Sequence, residues 1–280
     1  MTNPFDSSGY PMGANPSFAD VLRRAGQDAA VPRPVEPGAL PAHPHGTTVL
    51  ALSFADGLVM AGDRRATEGY SIADERTEKV FPADAHSLVS IAGAAGQAVE
   101  MVRLFQTELE HYEKVEGESL SLEGKANRLA QMIRGNFGWA LQGLIVVPLF
   151  GGYDLRRGEG RLFRYDVTGG RWEEFDHHAT GSGGQTAKAT LKKRWRPGLS
   201  RDEAVRAAVE ALYDASQEDI ATGGIDPIRG IFPTVKVAAA GGVTDVTEDE
   251  VRAAFEAIVA ERVGTEPLGR TTPGQAEAER

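Results

Sequence analysis

The feature that most constrains the fold is an abrupt change of character at residues 46 and 47. Eight of the chain's 15 prolines precede it, at Pro4, Pro11, Pro16, Pro32, Pro34, Pro37, Pro41 and Pro44. Proline fixes φ and removes a backbone donor, so this leader suits neither a long helix nor a central strand. Only residues 17–25, with Phe18, Val21 and Leu22 at helical spacing, suit a short amphipathic turn. The rest buries too little apolar surface to offset its ordering entropy. Directly afterwards comes Gly46-Thr47-Thr48-Val49-Leu50-Ala51-Leu52, which reads as a strand. Two threonines at a strand start often serve packing alone. A cut after Gly46, however, would give Thr47 a hydroxyl and a free α-amine, pairing a nucleophile with its own base. The leader then reads as a removable pro-segment.

From residue 47 the pattern is strands, two helices, strands, two helices, strand, helix. Residues 47–55 and 58–65 flank Ala55-Asp56-Gly57, a hairpin signal. A polar turn at residues 66–70 leads into a stretch to Thr77, and residues 79–81 and 86–91 read as a second strand pair. Helices are predicted over residues 96–115 and 121–140, joined by Glu116-Gly117-Glu118 and therefore antiparallel. Residues 144–153 are almost wholly apolar, as in a strand buried on both faces. Strands over 161–167 and 172–179 follow, then a helix to Trp195 ended by Pro197-Gly198. Ser200 and Glu203 form a capping box for a helix to Ser216. Residues 232–239 read as a strand, and Thr247 with Glu250 caps a last helix to Val263. The tail from Gly264 is polar. Runs of like elements argue against a doubly wound sheet. The expected class is α+β, a four-layer αββα sandwich: two antiparallel sheets with helix pairs on their outer faces.

Composition narrows the function. A net charge of −10 and no basic run argue against a nucleic-acid surface. With no cysteine, disulfides and thiolate metal sites are excluded, which fits a reducing cytoplasm. No apolar run approaches the roughly 18–20 residues that span a bilayer, and no secretory signal opens the chain. His43 and His45 lie in the leader, and His177-His178 has no ligand spacing with Asp or Glu. Gly181-Ser182-Gly183 fails the dinucleotide pattern because Thr186 stands where the third glycine belongs. No cofactor or metal is expected.

An N-terminal threonine needs a neutral amine. A nearby lysine cation lowers that amine's pKa, and in a buried site the lysine needs an anion of its own. A backbone N–H must also face the developing oxyanion. Lys79 in Thr77-Glu78-Lys79-Val80, Asp63 in Ala61-Gly62-Asp63-Arg64-Arg65, and Gly93 are the candidates.

The ordered set of Thr47-Thr48-Val49, Gly62-Asp63-Arg64-Arg65-Ala66-Thr67, Lys79, and Ser90-Ile91-Ala92-Gly93 resembles the catalytic β-subunit family of the proteasome. Gly181-Ser182-Gly183 and Asp219-Ile220-Ala221-Thr222-Gly223-Gly224 match that family's two polar site segments. The leader and Arg229-Gly230-Ile231-Phe232-Pro233-Thr234 are most similar to the actinomycete type. The resemblance covers residues 47–263. It implies an N-terminal-nucleophile threonine endopeptidase, self-activated between Gly46 and Thr47, with residues 1–46 removed; residues 264–280, polar with Pro267 and Pro273, are expected from composition to be a disordered tail. By the resemblance Thr47 is the nucleophile, Lys79 tunes its amine, Asp63 pairs with Lys79, and Gly93 N–H forms the oxyanion hole. Ser182 and Asp219 support the amine; Thr222 stands where the family often has serine. The Thr67 backbone aligns substrate, and Ala66, Ile91, Ala95 and Val99 line the pocket before the scissile bond. With no charge at those four positions, the implied preference is chymotrypsin-like. Implied partners are a proteasome α-subunit, further copies of the chain in stacked seven-membered rings, a ring ATPase, and substrates tagged by a ubiquitin-like protein.

Overall fold

The computed structural model describes residues 46–68, 71–93, 95–141 and 144–264. The leader up to residue 45 with its expected amphipathic turn, and the expected tail from residue 265, lie outside the described residues. Among the described residues, twelve strands and six helices are arranged in four layers. β1 (Thr48–Phe54), β2 (Gly57–Gly62), β10 (His177–Gly181), β11 (Thr234–Ala239) and β12 (Gly242–Asp245) form one antiparallel sheet, in the order β10-β1-β2-β11-β12. β5 (Val80–Asp84), β6 (Ser87–Gly93), β7 (Val146–Asp154), β8 (Glu159–Tyr165) and β9 (Arg171–Glu174) form the other in chain order. A ribbon of β3 (Ala66–Glu68) and β4 (Ser71–Asp74) stands beside them.

Strand alternation sorts the side chains. Val49 and Ala51 face the second sheet, with Leu58, Met60, Leu88, Leu149 and Leu162 closing the space between. Leu50 and Leu52 face the helices α4 (Gly184–Arg194) and α5 (Arg201–Glu218). The outer face of the second sheet is covered by α1 (Ala95–Glu116) and α2 (Leu122–Gly135). There Phe105 meets Phe150 edge-on with centroids 5.7 Å apart, and Phe150 stacks on Phe163 at 6.2 Å. Such pairs contribute about 0.5–1.5 kcal/mol each beyond their burial. The capping box at Ser200 and Glu203 forms in both directions. The Thr247–Glu250 pair closes the same way at the start of α6 (Glu248–Gly264).

Four expectations need correction. The single strand expected over 172–179 is two, in different sheets. β9 ends at Glu174; Phe175 projects into solvent, and Asp176 takes the His177 N–H on its own carboxylate as the chain crosses over. The helix expected to reach Ala140 stops at Gly135, where Asn136 turns its N–H back on the last carbonyls, and only the short α3 (Phe137–Ala140) follows. The strand β12 was not foreseen, since Gly241-Gly242 before so short a run reads as turn. The first sheet also carries a third helix: α6 lies against α5, with Tyr213 and Phe255 edge to face at 5.4 Å.

The paired histidines have a consequence for acid stability. Burial, with Lys188 nearby, pushes His178 down from its usual 6.5 to about 4, with Glu174 opposing. As pH falls below 6.5 the unfolded chain takes up a proton that the folded chain refuses until about 4. The stability this provides is therefore complete above pH 6.5 and lost on the way down, by about 3 kcal/mol in all. Denaturant unfolding at pH 7 and pH 4 should show a fall shallower by about that amount in His178→Gln.

Candidate active site

Thr47 stands at the head of β1, and strand alternation sends it and Thr48 to opposite sides. Thr47 turns toward the space where the sheets open. Its Oγ1 donates to the Gly46 carbonyl at 2.7 Å, and both residues are buried. The Gly46 N–H donates to Thr67 Oγ1 at 3.0 Å. It is thus the Thr67 hydroxyl, on β3, that touches Gly46.

Lys79 lies just before β5, 4% exposed. Its ammonium is ringed by three acceptors: Asp63 Oδ1 at 2.7 Å, Arg65 O at 2.6 Å and Gly46 O at 3.5 Å. Burial holds its pKa below the usual lysine range, with Asp63 opposing and Arg65 reinforcing the shift. Asp63 ends the β2 hairpin arm and accepts four bonds in all. Besides Lys79, Thr48 N–H reaches Oδ1 at 2.7 Å, while Arg65 N–H and Gly223 N–H reach Oδ2 at 3.0 and 2.8 Å. A carboxylate with this many donors is fixed in place.

The carbonyl of Thr47 accepts from Ser182 N–H at 2.9 Å and lies 3.3 Å from Ser182 Oγ. Gly181, with φ +101°, makes this approach possible: a Cβ there would fall 1.8 Å from Thr47 O. Asp219 caps the end of α5 and organises the turn after it, accepting from Thr222 Oγ1 at 2.6 Å and Ala221 N–H at 3.2 Å. Burial raises its carboxyl, but bonds from Ser182, Thr222 and that turn outweigh burial and leave the pKa below the usual range. Gly93 closes β6 with φ +126°, and a Cβ there would strike Ile145 O at 2.0 Å.

A narrow cleft opens beside Thr47, lined by Gly46, Ala66, Ile91, Gly93 and Val99. Ala95 opens α1, but its side chain lies outside the described residues. The lining is wider than the sequence suggested: Thr77, Glu78, Lys79 and Ala98 also contribute. Two charged residues therefore border a cleft expected to be apolar. Lys79 is engaged as above, while Glu78 accepts from Thr234 Oγ1 at 3.3 Å and stands 3.8 Å from Lys236 on β11, its Oε1 making no hydrogen bond. A larger apolar hollow between α1 and α2, lined by Met101, Leu104, Ile133 and Trp139, contains none of the candidate residues.

Thr47, Asp63, Lys79, Gly93, Ser182, Asp219 and Thr222 thus converge from six separate stretches of chain. Sequence reasoning missed Thr48, Arg65 and Gly223, whose backbone or hydroxyl bonds tie the cluster together. For Thr48 the signal was present, since strand alternation alone puts its hydroxyl opposite that of Thr47. Among the described residues no cluster suited to a metal ion occurs, and no helix is long and apolar enough to cross a membrane.

Two sandwiched antiparallel sheets with a threonine heading a central strand are the architecture of the N-terminal-nucleophile hydrolases. The profile of the family described as "Proteasome subunit" matches residues 43–229. The chain is 58% identical to the proteasome subunit beta of Acidimicrobium ferrooxidans over 252 residues, covering 88% of this chain and 91% of the relative. It is 49% identical to the proteasome subunit beta of Frankia casuarinae over 273 residues, covering 94% and 98%. The chain belongs to the proteasome subunit family, on its β side, and so to the threonine endopeptidases.

Proposed function

We propose that this chain is the peptide-cutting subunit of a proteasome core particle, with Thr47 as nucleophile, made as a precursor that cleaves itself after Gly46. The observation that carries this reading is the Thr47 hydroxyl 2.7 Å from Gly46 O, with the buried Lys79–Asp63 pair beneath it. In the precursor Thr47 Oγ attacks the Gly46 carbonyl carbon. The Gly46–Thr47 C–N bond breaks, the hydroxyl proton passes to the departing nitrogen, and Gly46 is left as an ester on Oγ. Water then hydrolyses the ester, releasing residues 1–46 as a carboxylic acid and exposing the Thr47 amine.

In the mature chain that amine takes the Oγ proton, through a water, as a substrate carbonyl is attacked. Lys79 is a like charge close by, which lowers the amine's pKa and keeps it able to accept. Gly93 N–H faces the oxyanion, while Ser182 and Asp219, with Thr222, hold the amine end. The Thr67 backbone aligns the peptide. An unspecific peptidase of this kind would attack its surroundings in the cytoplasm, so its site belongs inside a chamber. Copies of the chain in seven-membered rings, capped by rings of an α-subunit, supply one. A ring ATPase delivering unfolded, ubiquitin-like-tagged proteins completes the reading.

The pocket before the scissile bond takes an apolar side chain. Ala66 and Ala98 leave room, and Ile91 and Val99 give an apolar wall. Burying a large hydrophobic group there stabilises binding by roughly 1.5–3 kcal/mol, whereas a charged one loses its solvation. Co-expression with the α-subunit should give a large particle. On fluorogenic peptides differing at that one position, it should cut after Leu, Tyr or Phe at least about tenfold faster than after Arg or Glu. An active, processed monomer would sink the chamber; faster cleavage after Arg or Glu would sink the pocket assignment.

A further inference from the structure

Thr48 is fully buried and points away from the cleft, so its hydroxyl cannot meet substrate. It is nevertheless bonded on both sides. Gly183 N–H donates to Thr48 Oγ1 at 2.9 Å, and Thr48 Oγ1 lies 2.7 Å from Thr222 Oγ1. The proton positions follow from counting. Asp219 accepts from Thr222 Oγ1, which spends the only hydrogen that hydroxyl has. Thr48 must therefore donate to Thr222. The result is a one-way chain: Gly183 N–H to Thr48 O–H to Thr222 O–H to the Asp219 carboxylate.

The same residue is held through its backbone. Thr48 N–H donates to Asp63 Oδ1, while the other end of that peptide, Thr47 O, accepts from Ser182 N–H. The peptide joining Thr47 to Thr48 is thus gripped at its N–H by the carboxylate that pairs with Lys79. Its carbonyl is gripped by the turn that begins α4. Once the leader is gone, that peptide is all that ties Thr47 to the protein.

We propose that Thr48 is a positioning residue: its hydroxyl couples Asp219, through Thr222, to the strand that carries the nucleophile, and fixes the Thr47 main chain after cleavage. This rests on the reading of Thr47 as nucleophile given above. It also accounts for a threonine at 222. Its hydroxyl has to accept from Thr48 while donating to Asp219, and its buried methyl-bearing carbon holds one rotamer for both.

The test uses the assembled particle, with each chain's N-terminus verified as Thr47, and steady-state cleavage of an apolar fluorogenic peptide. Thr48→Val keeps the shape and removes the hydroxyl. It should lower kcat by about ten- to a hundredfold with KM changed less than about threefold, because the lost bonds are buried and remote from substrate. Thr48→Ser, which restores the hydroxyl, should return kcat to within about threefold of the parent. Processed Thr48→Val with parental kcat would overturn the proposal, as would a loss that serine does not rescue. If Thr48→Val fails to assemble, Thr48→Ala removes the same hydroxyl with a smaller side chain. A comparable fall in kcat at unchanged KM that serine rescues supports the coupling, and parental kcat refutes it. A parent particle that is active but does not begin at Thr47 would instead defeat the nucleophile reading.

Discussion

Replacing Lys79 by alanine is expected to lower peptide turnover by about a thousandfold or more while the sandwich stays folded. Removing one partner of a buried ion pair typically costs about 3–5 kcal/mol because the other is stranded. Here Asp63 is not stranded, since it keeps the N–H groups of Thr48, Arg65 and Gly223. The loss should therefore fall on chemistry rather than on folding. Lys79→Arg should fail as well. Three acceptors surround a compact ammonium, and a planar guanidinium cannot point its donors at Asp63, Arg65 O and Gly46 O together. Circular dichroism with turnover of processed protein decides the matter; near-parental rates in Lys79→Ala would take lysine out of the mechanism.

Thr47→Ala is expected to leave the chain at its full 280 residues, while the parent shortens to 234, the length less the first 46. Intact mass of the assembled protein separates the two outcomes. Thr47→Ser keeps a hydroxyl and should still be cut. An active particle built from full-length parent chains would overturn self-cleavage altogether, and a shortened Thr47→Ala chain would mean that some other agent cuts the bond.

Much of the layer plan was legible because periodicity changes sharply along the chain. The apolar run over 144–153 announced β7, although that strand begins only at Val146 and Ile145 before it is exposed, and Ser200 with Glu203 announced α5 by its cap. What failed was local. Residues 172–179 keep a strand pattern across the point where the chain changes sheets, and pattern alone cannot say which neighbour a strand pairs with. Gly135 ends α2 although apolar spacing continues past it. Within the site, residues were legible where their chemistry is scarce: one lysine, one aspartate, one glycine at a strand end. The backbone donors around Asp63 were not, because every residue has an N–H and only the folded path brings those of Thr48, Arg65 and Gly223 to one carboxylate.

The depth of the Gly46–Thr47 bond has a kinetic meaning. Gly46 is buried, and a Cβ on it would fall 2.1 Å from Ala221 Cβ, so the bond is closely packed on that side. If Thr47 cuts this bond as proposed, maturation is a first-order event within each chain, with a rate indifferent to dilution once the surrounding residues are in place. Concentration would govern only how soon that setting forms. On that reading the bond is a clock started by folding and assembly, not by encounter with another enzyme.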